Sequence, residues 1–436
     1  MNIKKATMSA VLASAAVSAF AASVPEVTSV IMSQPSNSRL VTIAYTLGEA
    51  PAVVTLDVQT NATANAPAND PGWASIGGKA VWNATGDVWK KIEPGSRTIT
   101  WRPDLSWPDH KIADNRARAV VTAWATNNTP DYMVVDITAT GGADTQTYYP
   151  AADFVPRGVT NGIYKTTMLL MRKIMAKDVT WTMGSVSESG RSVSNEKPHQ
   201  VTLTNNYYIG VYPVTQTQWY QITGYNNSNF NTEYAMRPVD NVCYNEMRNS
   251  NSTAGNAANN WPNSPNDNSF LGKLRNTTKL DFDLPSEAQW EFAARAGNGE
   301  GYWGNGSAIQ ISSDKDPNLN LLARYKNNPT TNLSPDAATI TPSEGGTAIV
   351  GSYVENNWGL YDTAGNVWEC CLDLFESDIT ALNGAVNTSG SNRVLRGGGW
   401  NSPAGGCRSA QRRGDIGSNV RQNYVGVRVV CTAGLQ

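Results

Sequence analysis

Cysteines and histidines are among the side chains of this sequence that could bind a transition metal or act as nucleophiles. His110 and His199 are the two histidines, and their wide separation argues against a three-histidine iron site or a zinc hydrolase. The odd number of cysteines leaves at least one thiol unpaired unless it pairs between chains, and the sequence leaves the pairing open. The five cysteines all lie in the second half of the chain, at Cys243, Cys370, Cys371, Cys407 and Cys431.

The composition indicates a loop-rich globular protein of the extracellular type. The 34 Lys and Arg nearly balance the 36 Asp and Glu, and a net charge of -2 gives no field that attracts nucleic acid or an anionic membrane. Charged residues make up only 16% of the chain, whereas 37 Gly, 14 Trp and 17 Tyr are present. This balance suits a hydrogen-bonded, exported globule better than a charged cytosolic helical protein. A length of 436 residues predicts two or three domains.

The N-terminus has the pattern of an export signal peptide, which we assign to residues 1–21. Lys4 and Lys5 form a basic start, an apolar stretch of small residues follows at 6–17, and an A-x-A cleavage site ends at Ala21. The apolar stretch is shorter than the ~20 residues of a membrane-spanning helix. No later segment is long and apolar enough to cross a bilayer. We therefore expect a secreted or periplasmic protein with no membrane span.

Residues 22–140 have the pattern of an all-β immunoglobulin-like or fibronectin-like sandwich. No helical periodicity interrupts them, and several short strands in a region of this length are typical of such a sandwich. No catalytic arrangement is found there, so we interpret the region as a spacer or docking module. Residues 141–163 have no apolar periodicity and are interpreted as a linker. The stretches predicted as strands are 27–32, 41–47, 53–58, 97–101, 119–124 and 132–137.

Residues 164–436 have a different composition, rich in Gly, Asn, Trp and Pro, with one strong helix signal. That signal covers residues 284–297, where Ser286 suits an N-cap, Gln289 the capping-box position and Gly297 a C-terminal stop. A weaker helix signal covers residues 215–223. The rest of the region predicts much irregular structure.

A series of motifs in this second region resembles the formylglycine-generating-enzyme (sulfatase-modifying factor) family. The resemblance covers about residues 164–430. It implies an α+β C-type-lectin-like fold, here preceded by the all-β immunoglobulin-like sandwich, with the ligand-binding or active surface on C-terminal strands and loops. The fold hosts oxidases, iron enzymes and non-catalytic binding proteins, so the site must decide the function. In chain order, the motifs read VTWTMGS, EKPHQVTL, YIGVYPVT, RPV, LPSEAQWEFAA, WGLYD, GNVWE, RVLRGGGW and VGVR.

For an oxidase, the resemblance implies two cysteines close together after the Arg-Gly-Gly motif, where their thiolates bind copper(I). Counted from Gly397, Cys407 falls at the second of these positions and Ser402 at the first. A serine hydroxyl does not replace a thiolate as a copper(I) ligand, so an oxidase would need a second sulfur from elsewhere. The candidates for that sulfur are Cys370, Cys371 and Cys431.

Two interpretations of Cys407 therefore remain open. A structural Cys407 would be buried or disulfide-bonded, with Cys371 as a candidate partner. A catalytic Cys407 would make the protein a copper-dependent formylglycine-generating oxidase that acts on a cysteine of exported sulfatase-type proteins. The iron branch of the superfamily, similar to ergothioneine-pathway sulfoxide synthases, uses histidine ligands that this chain lacks.

The segment 362–369 resembles the calcium loop of the family. The resemblance implies ligation by the side chains of Asp362 and Glu369 and by the carbonyl oxygens of Gly365 and Val367. Hard oxygen donors of this kind are what calcium requires. We expect a structural calcium ion, since no nucleophile or general base stands beside the loop. The alternative is that the two carboxylates cap turns or pair with arginines.

Residues 401–424 alternate scaffold-like residues with small or polar ones. This alternation resembles the display surface of variable proteins built by diversity-generating retroelements, which vary exposed side chains on a rigid frame. The alternative is an ordinary loop-rich surface of a non-variable family member. We predict a binding protein whose partner is a protein or a glycan and not a nucleic acid. The predicted contact residues are Asn401, Ser402, Gln411, Arg413, Asp415, Ile416, Gln422 and Tyr424.

Overall fold

A computed structural model of the chain describes residues 24–112, 115–139, 145–231, 235–249, 259–312, 314–328 and 346–434. The predicted export signal lies outside these ranges. Within them, no helix has both the length and the apolar character needed to span a bilayer.

The N-terminal part of the chain forms two antiparallel β-sheets. One has the strand order β1-β2-β7-β5, and the other has β4-β3-β6 with β8 paired to β3. Alternate residues of β2 enter a hydrophobic cluster shared with β3 and β7, which explains the alternation in the sequence. The immunoglobulin-like topology stays a prediction. The elements are β1 (Glu26–Ser33), β2 (Val41–Gly48), β3 (Ala52–Thr60), β4 (Ala74–Ser75), α1 (Gly78–Val81), β5 (Thr85–Gly86), β6 (Lys91–Ile92), β7 (Gly95–Trp101), α2 (Pro103–Ser106) and β8 (Ala117–Ala125).

The C-terminal part mixes short strands with short helices, as the α+β expectation requires. It is held by a five-stranded sheet, a two-stranded ribbon and a four-stranded sheet. Its elements are β9 (Tyr132–Asp136), β10 (Gln146–Tyr149), β11 (Met168–Ile174), β12 (Thr180–Met183), β13 (His199–Thr202), β14 (Tyr207–Gly210), α3 (Gln216–Thr223), α4 (Tyr244–Arg248), α5 (Phe270–Thr278), α6 (Glu287–Arg295), β15 (Trp368–Leu374), β16 (Arg393–Arg396), β17 (Arg412–Arg413), β18 (Val425–Gly426) and β19 (Val430–Thr432).

The five-stranded sheet crosses the boundary predicted between the two regions. Its order is β10-β9-β11-β14-β19, and all its neighbours are antiparallel. All six stretches predicted as strands contain a strand, but the sixth, β9, joins this sheet instead of the N-terminal ones. The predicted linker contains β10. The physical reason is that β9 is apolar and buried along almost its whole length, which favours a central position over a half-exposed one.

The strongest predicted helix is present as α6, and its N-terminal cap is the predicted one. The Ser286 hydroxyl accepts the backbone N–H of Gln289 at 3.1 Å, and the Gln289 side-chain oxygen accepts the N–H of Ser286 at 2.9 Å. At the C-terminus, Ala296 already has a left-handed φ of 50°, one residue before the predicted stop at Gly297. The second predicted helix is α3, which begins after a capping box at Thr215.

Trp89 joins the N-terminal sheets to the five-stranded sheet. Its carbonyl oxygen accepts the backbone N–H of Tyr148 at 2.8 Å, and its ring centroid lies 5.2 Å from that of Tyr149. One hydrophobic cluster contains side chains of β2, β3, β9 and β11. The C-terminal strands that carry the site are therefore packed against the N-terminal part.

Candidate functional site

Cys407 lies at the end of a short 3-10 turn, Ala404–Cys407, in the segment after the Arg-Gly-Gly motif. Its side chain is only 1% exposed and packs in a hydrophobic cluster with Trp303 and Tyr325. Gly398 has a φ of 78°, and a Cβ atom there would lie 2.7 Å from the Cys407 Sγ, so the backbone closes over the sulfur. Burial raises the pKa of the thiol to about 12. The thiol is therefore protonated at neutral pH, and a protonated thiol is a poor nucleophile and metal ligand.

Ser402 stands where the oxidase resemblance requires the first cysteine. It is 6% exposed, and its hydroxyl accepts the backbone N–H of Gly399 at 3.0 Å. Its own carbonyl oxygen accepts the N–H of Lys326 at 2.9 Å. The hydroxyl therefore closes a turn in the loop.

The other cysteines are buried in different parts of the core. All five are free, so Cys407 forms no disulfide with Cys371. Cys371 packs with Trp290, whereas Cys370 and Cys431 belong to another cluster. Within the described ranges, no three His, Cys, Asp or Glu side chains come together as a metal-binding group. In the described part of the chain, Cys407 thus shares its hydrophobic cluster with no second thiol.

Asp362 begins the predicted calcium loop and is buried. One carboxylate oxygen accepts the N–H of Gly351 at 2.7 Å, and the other accepts the side-chain amide of Asn366 at 3.3 Å. Burial raises its pKa to about 6 despite these bonds. The loop continues through Gly365, at a φ of 74°, and the buried Val367. A bound cation would stabilise the ionised form of Asp362, so this residue fits a calcium ligand.

Glu369, the other predicted side-chain ligand, is the counter-ion of a buried arginine. The Arg428 guanidinium donates to its two oxygens at 2.8 and 2.9 Å, and the Trp290 indole N–H donates to it at 2.6 Å. This geometry matches the alternative in which the carboxylate pairs with an arginine. Glu369 therefore does not fit a calcium ligand, because Arg428 already balances its charge, and Asp362 stays as the candidate side-chain ligand. Calcium at this loop stays a prediction.

Arginines that follow Cys407 are buried against carboxylates from distant parts of the chain. Arg408 donates to Glu188 and to Glu196, each at 2.8 Å. Arg412 donates to the two oxygens of Glu287 at 2.5 and 2.8 Å. All of these side chains are buried. Buried charges are tolerated only when they are paired in this way.

The buried ion pairs continue through α6. Arg396 donates to Glu291, and Arg295 donates to the same carboxylate at 2.8 Å. Four guanidinium groups thus face four carboxylates, and their formal charges cancel. We call this set the arginine frame: Arg295, Arg396, Arg408 and Arg412 with Glu188, Glu196, Glu287 and Glu291.

Arg413 lies next to Arg412 but reaches the protein surface. It donates to the two oxygens of Asp415 at 2.5 and 2.9 Å and to the Tyr424 hydroxyl at 3.1 Å. Its guanidinium carbon lies 4.9 Å from the centroid of the Tyr424 ring, within cation–π range. The hydrogen bonds with Asp415 raise the pKa of Arg413 and hold that of Asp415 below its usual value. We call Arg413, Asp415 and Tyr424 the Arg413 cluster.

The remaining predicted contact residues divide into accessible and buried ones. Asn401 is exposed, and Gln411 and Gln422 are half-buried. Ser402 and Ile416 are buried, so the expectation that their side chains are exposed was wrong. Ile416 is only 8% exposed because its apolar side chain joins the hydrophobic cluster beneath the surface. The accessible predicted residues thus centre on the Arg413 cluster.

Trp400 and Phe230 form an aromatic pair beside this surface that the sequence did not predict. Their ring centroids lie 5.4 Å apart in an edge-to-face arrangement. The Trp400 indole N–H donates to the carbonyl oxygen of Asn423 at 3.0 Å, so the ring is fixed. Phe230 comes from a distant loop, and no local pattern marks it.

The family comparison agrees with the motifs, and individual proteins are similar to parts of the chain. A profile of the family described as "Sulfatase-modifying factor enzyme 1-like domain" matches residues 170–433. The formylglycine-generating enzyme of Streptomyces coelicolor is 37% identical over 123 residues, which are 27% of this chain and 35% of that enzyme. Chaperone protein LppX of Paenibacillus barcinonensis is 27% identical over 241 residues, covering 52% of this chain and 79% of LppX. The solved structure of Treponema denticola variable protein 1 is similar with a TM-score of 0.46 and 25% identity, covering 61% of this chain and 96% of that chain.

Proposed function

Since the chain belongs to the family of sulfatase-modifying factor enzyme 1-like domains, we propose that it is an exported binding protein and not an oxidase. Its ligand is a protein or a glycan that contacts the surface of residues 401–424. One observation carries the proposal: a single, buried sulfur stands where an oxidase needs two thiolates. Export rests on the sequence pattern of residues 1–21.

The chemistry of the segment opposes copper-dependent oxidation. Copper(I) prefers soft sulfur ligands, and a cysteine binds it as the thiolate. Burial holds the pKa of Cys407 at about 12, so forming the thiolate is unfavourable at neutral pH. The Ser402 hydroxyl is a hard donor and is already used by the Gly399 N–H. Neither group is ready to act as a copper ligand.

The Arg413 cluster supports a binding role because it is accessible and already ordered. Asp415 and Tyr424 hold the guanidinium of Arg413, and the adjacent Arg412 anchors the strand to the core through Glu287. Side chains that are fixed before binding lose little conformational entropy when a ligand arrives. Arginine and tyrosine are also enriched among residues that contribute strongly to binding.

The relatives are compatible with more than one role within the family. One is a formylglycine-generating enzyme, and the match covers about a third of it. Another carries the name of a chaperone, and the match covers 79% of it. A role in contacting another protein agrees with the second of these.

The proposal is tested by selecting ligands for the mature protein from a random-peptide display library and a glycan array. The test variant, Arg413→Ala with Asp415→Ala, removes the exposed ion pair. The matched control, Arg102→Ala with Asp104→Ala, removes a pair of the same spacing, with bonds of 2.7 Å, from the N-terminal part. We expect selected ligands to bind the test variant at least about tenfold more weakly and the control unchanged.

Two results of that selection would contradict the proposal. Ligands that bind the test variant as tightly as the wild type would place the binding site elsewhere. A failure of both sources to yield any ligand, together with copper-dependent turnover, would favour the alternative, a formylglycine-generating oxidase that uses Cys407. That alternative rests on the enzymes in the family and needs the segment around Cys407 to open.

Calcium is a separate, structural proposal for the loop at residues 362–369. It rests on Asp362, whose buried carboxylate has a pKa raised to about 6 and would gain from a cation. Thermal unfolding in calcium chloride and in EDTA tests it. We expect calcium to raise the Tm of the wild type but not of Asp362→Ala. An unchanged Tm of the wild type in calcium chloride would contradict a calcium site in this loop.

A further inference from the structure

A groove at the C-terminal end of α6 shares no lining residue with the surface of residues 401–424. Its volume is about 520 Å³, which lies in the range of small-molecule sites. Its walls come from Trp181 in β12, Phe292 in α6 and Val186, and its floor comes from the turn that follows α6. Gly299 in this turn has no atom within 4 Å of where a Cβ would lie, so the space above the floor is open.

Aromatic rings form one side of this groove. The ring centroids of Trp181 and Phe292, which both line the groove, lie 5.3 Å apart. Trp358 does not line the groove, but its ring centroid lies 5.2 Å from that of Phe292. Trp181 is only half-buried, whereas Phe292 is 8% exposed. Val186 extends the apolar wall and is 56% exposed. The face of an aromatic ring carries negative electrostatic potential and attracts a cation within about 6 Å.

A fixed carboxylate gives the groove a negative charge. Burial disfavours the ionised form of Glu300, but the N–H of Ser187 and the hydroxyls of Ser185 and Ser187 hold its pKa below the usual value. The N–H of Glu188 donates to the same oxygen at 3.1 Å. Glu300 is therefore ionised at neutral pH, and its position is set by four hydrogen bonds.

The cation that lines the groove does not offset this charge. Arg295 donates to Glu291 at 2.8 Å and lies 3.9 Å from Glu188, so its charge is neutralised inside the arginine frame. It also donates to the carbonyl oxygen of Gly184 at 2.7 Å. The groove lies at the C-terminal end of α6, where the helix dipole adds partial negative charge. The field in the groove therefore favours a cation.

We propose that this groove binds an organic cation of the quaternary ammonium type. A primary ammonium keeps its water strongly and needs several acceptors to replace it. The aromatic wall offers none, and one oxygen of Glu300 already accepts four hydrogen bonds, which leaves the second carboxylate oxygen and not the several acceptors that an ammonium needs. A quaternary ammonium group has no N–H to satisfy and gains from aromatic faces and a nearby charge.

A sugar fits the groove less well. Sugar hydroxyls need polar side chains that are free to bond them. The amide group of Asn298, on the floor, already donates to the carbonyl oxygens of Arg295 and Gly304, each at 2.8 Å. The ligand chemistry that remains is apolar and cationic.

Isothermal titration with choline chloride tests the proposal, with 3,3-dimethyl-1-butanol as the uncharged molecule of the same shape. We expect choline to bind at least about tenfold more tightly than the butanol, because the neutral carbon centre loses the cation–π and charge attraction. Ethanolamine, methylguanidinium and cellobiose test the primary ammonium, guanidinium and sugar alternatives. Tighter binding of any of these than of choline would overturn the proposal, as would no choline binding up to about 50 mM.

Three variants place the binding in the groove. Trp181→Ala should abolish choline binding, and Trp181→Phe should retain part of it, which separates loss of the aromatic face from loss of the fold. Glu300→Gln keeps a hydrogen-bond acceptor but removes the charge, so choline should bind about three- to tenfold more weakly and the butanol unchanged. The control Tyr220→Ala removes an aromatic ring that is 55% exposed on α3, outside the groove.

Equal binding of choline and the butanol, or a Glu300→Gln variant that binds choline like the wild type, would contradict the proposal. The proposal does not depend on the surface of residues 401–424. Its failure would leave the proposed function unchanged, and the reverse also holds.

Discussion

Arg412 and Arg413 are neighbours on β17, but they have opposite roles. Successive residues of a strand point to opposite faces. Arg412 therefore enters the core and pairs with Glu287, whereas Arg413 reaches the surface and pairs with Asp415. The side chains of the first pair are each 2% exposed, and those of the second are 28% and 63% exposed. An arginine thus stabilises the arginine frame at position 412, and an arginine is accessible to a ligand at position 413.

The comparison shows how a loop-rich surface can be rigid without many helices or long strands. The arginine frame ties the segment after Cys407 to α6 and to the loop that carries Glu188 and Glu196. The exposed side chains stand on this frame, so they can differ without changing the fold. We expect substitutions in the frame to change stability and substitutions in the Arg413 cluster to change binding.

The largest expected effect is on the free energy of unfolding, and it appears when the same substitution is made at Arg412 and at Arg413. Arg412→Met leaves the charge of Glu287 buried without its main partner and should lower the free energy of unfolding by about 3–5 kcal/mol. Arg413→Met breaks an accessible ion pair and should cost about 1 kcal/mol or less. Urea denaturation of both variants measures the difference.

A double variant tests whether the cost arises from the stranded carboxylate. Arg412→Met combined with Glu287→Leu removes both charges, and part of the lost stability should return. If Arg412→Met and Arg413→Met destabilised the protein equally, the distinction between the frame and the surface would be wrong.

A smaller effect on stability is expected from pH, because the pKa of Asp373, whose carboxylate lies beside the arginine frame, is shifted. Burial and then the charge of Glu287 raise the pKa of Asp373 from 3.8 to about 7. The folded protein therefore binds this proton more tightly than the unfolded chain does. The resulting stabilisation is absent above a pH of about 7 and grows as the pH falls towards 3.8.

The pH effect is measured as a difference between the wild type and Asp373→Asn. From about pH 8 to about pH 5, the wild type should gain stability relative to the variant, by on the order of 1 kcal/mol per pH unit at most. Identical pH dependence in the two proteins would mean that Asp373 titrates normally. The offset between the curves carries no information, since the amide also changes two backbone hydrogen bonds.

The smallest expected effect on stability comes from a substitution in the exposed Arg413 cluster. Tyr424→Phe removes the hydroxyl that accepts from Arg413 at 3.1 Å and keeps the ring. The free energy of unfolding should change by about 0.5 kcal/mol or less, because water can replace the lost bond. A loss of several kcal/mol by urea denaturation would show that the Arg413 cluster is part of the structural core.

Much of the fold was predictable because local rules determine it. The capping box at Ser286 and Gln289 marked α6, and alternating apolar residues marked the N-terminal strands. The motifs identified the family across most of the C-terminal part. These signals depend on residues close together in the chain.

The features that were missed depend on residues far apart in the chain. Strand β9 was predicted to belong to the N-terminal sandwich, but it pairs with β10 and β11 in the five-stranded sheet. Glu369 resembled a calcium ligand, and only the fold brings Arg428 against it. The groove beside α6 joins Trp181 to Phe292 and Glu300, and no spacing in the sequence relates them.

Exposure within residues 401–424 was predicted only in part for a similar reason. Small and polar residues alternate there with larger ones. The segment forms mostly turns, however, so alternate residues do not point to opposite faces as they would in a strand. Ser402 and Ile416 are buried, whereas Asn401 and Asp415 are exposed. Arg413 was among the predicted contact residues and Arg412 was not, and the two side chains lie on opposite faces of β17.

Copper(I) titration of the mature protein, with oxygen-dependent turnover of a sulfatase-type cysteine peptide, tests the central claim most directly. With a single buried, protonated sulfur at the site, the wild type and Cys407→Ala should give the same copper titration and no aldehyde product. Stoichiometric copper binding that is lost in Cys407→Ala, together with an aldehyde product from the wild type, would contradict the account and make the protein an oxidase.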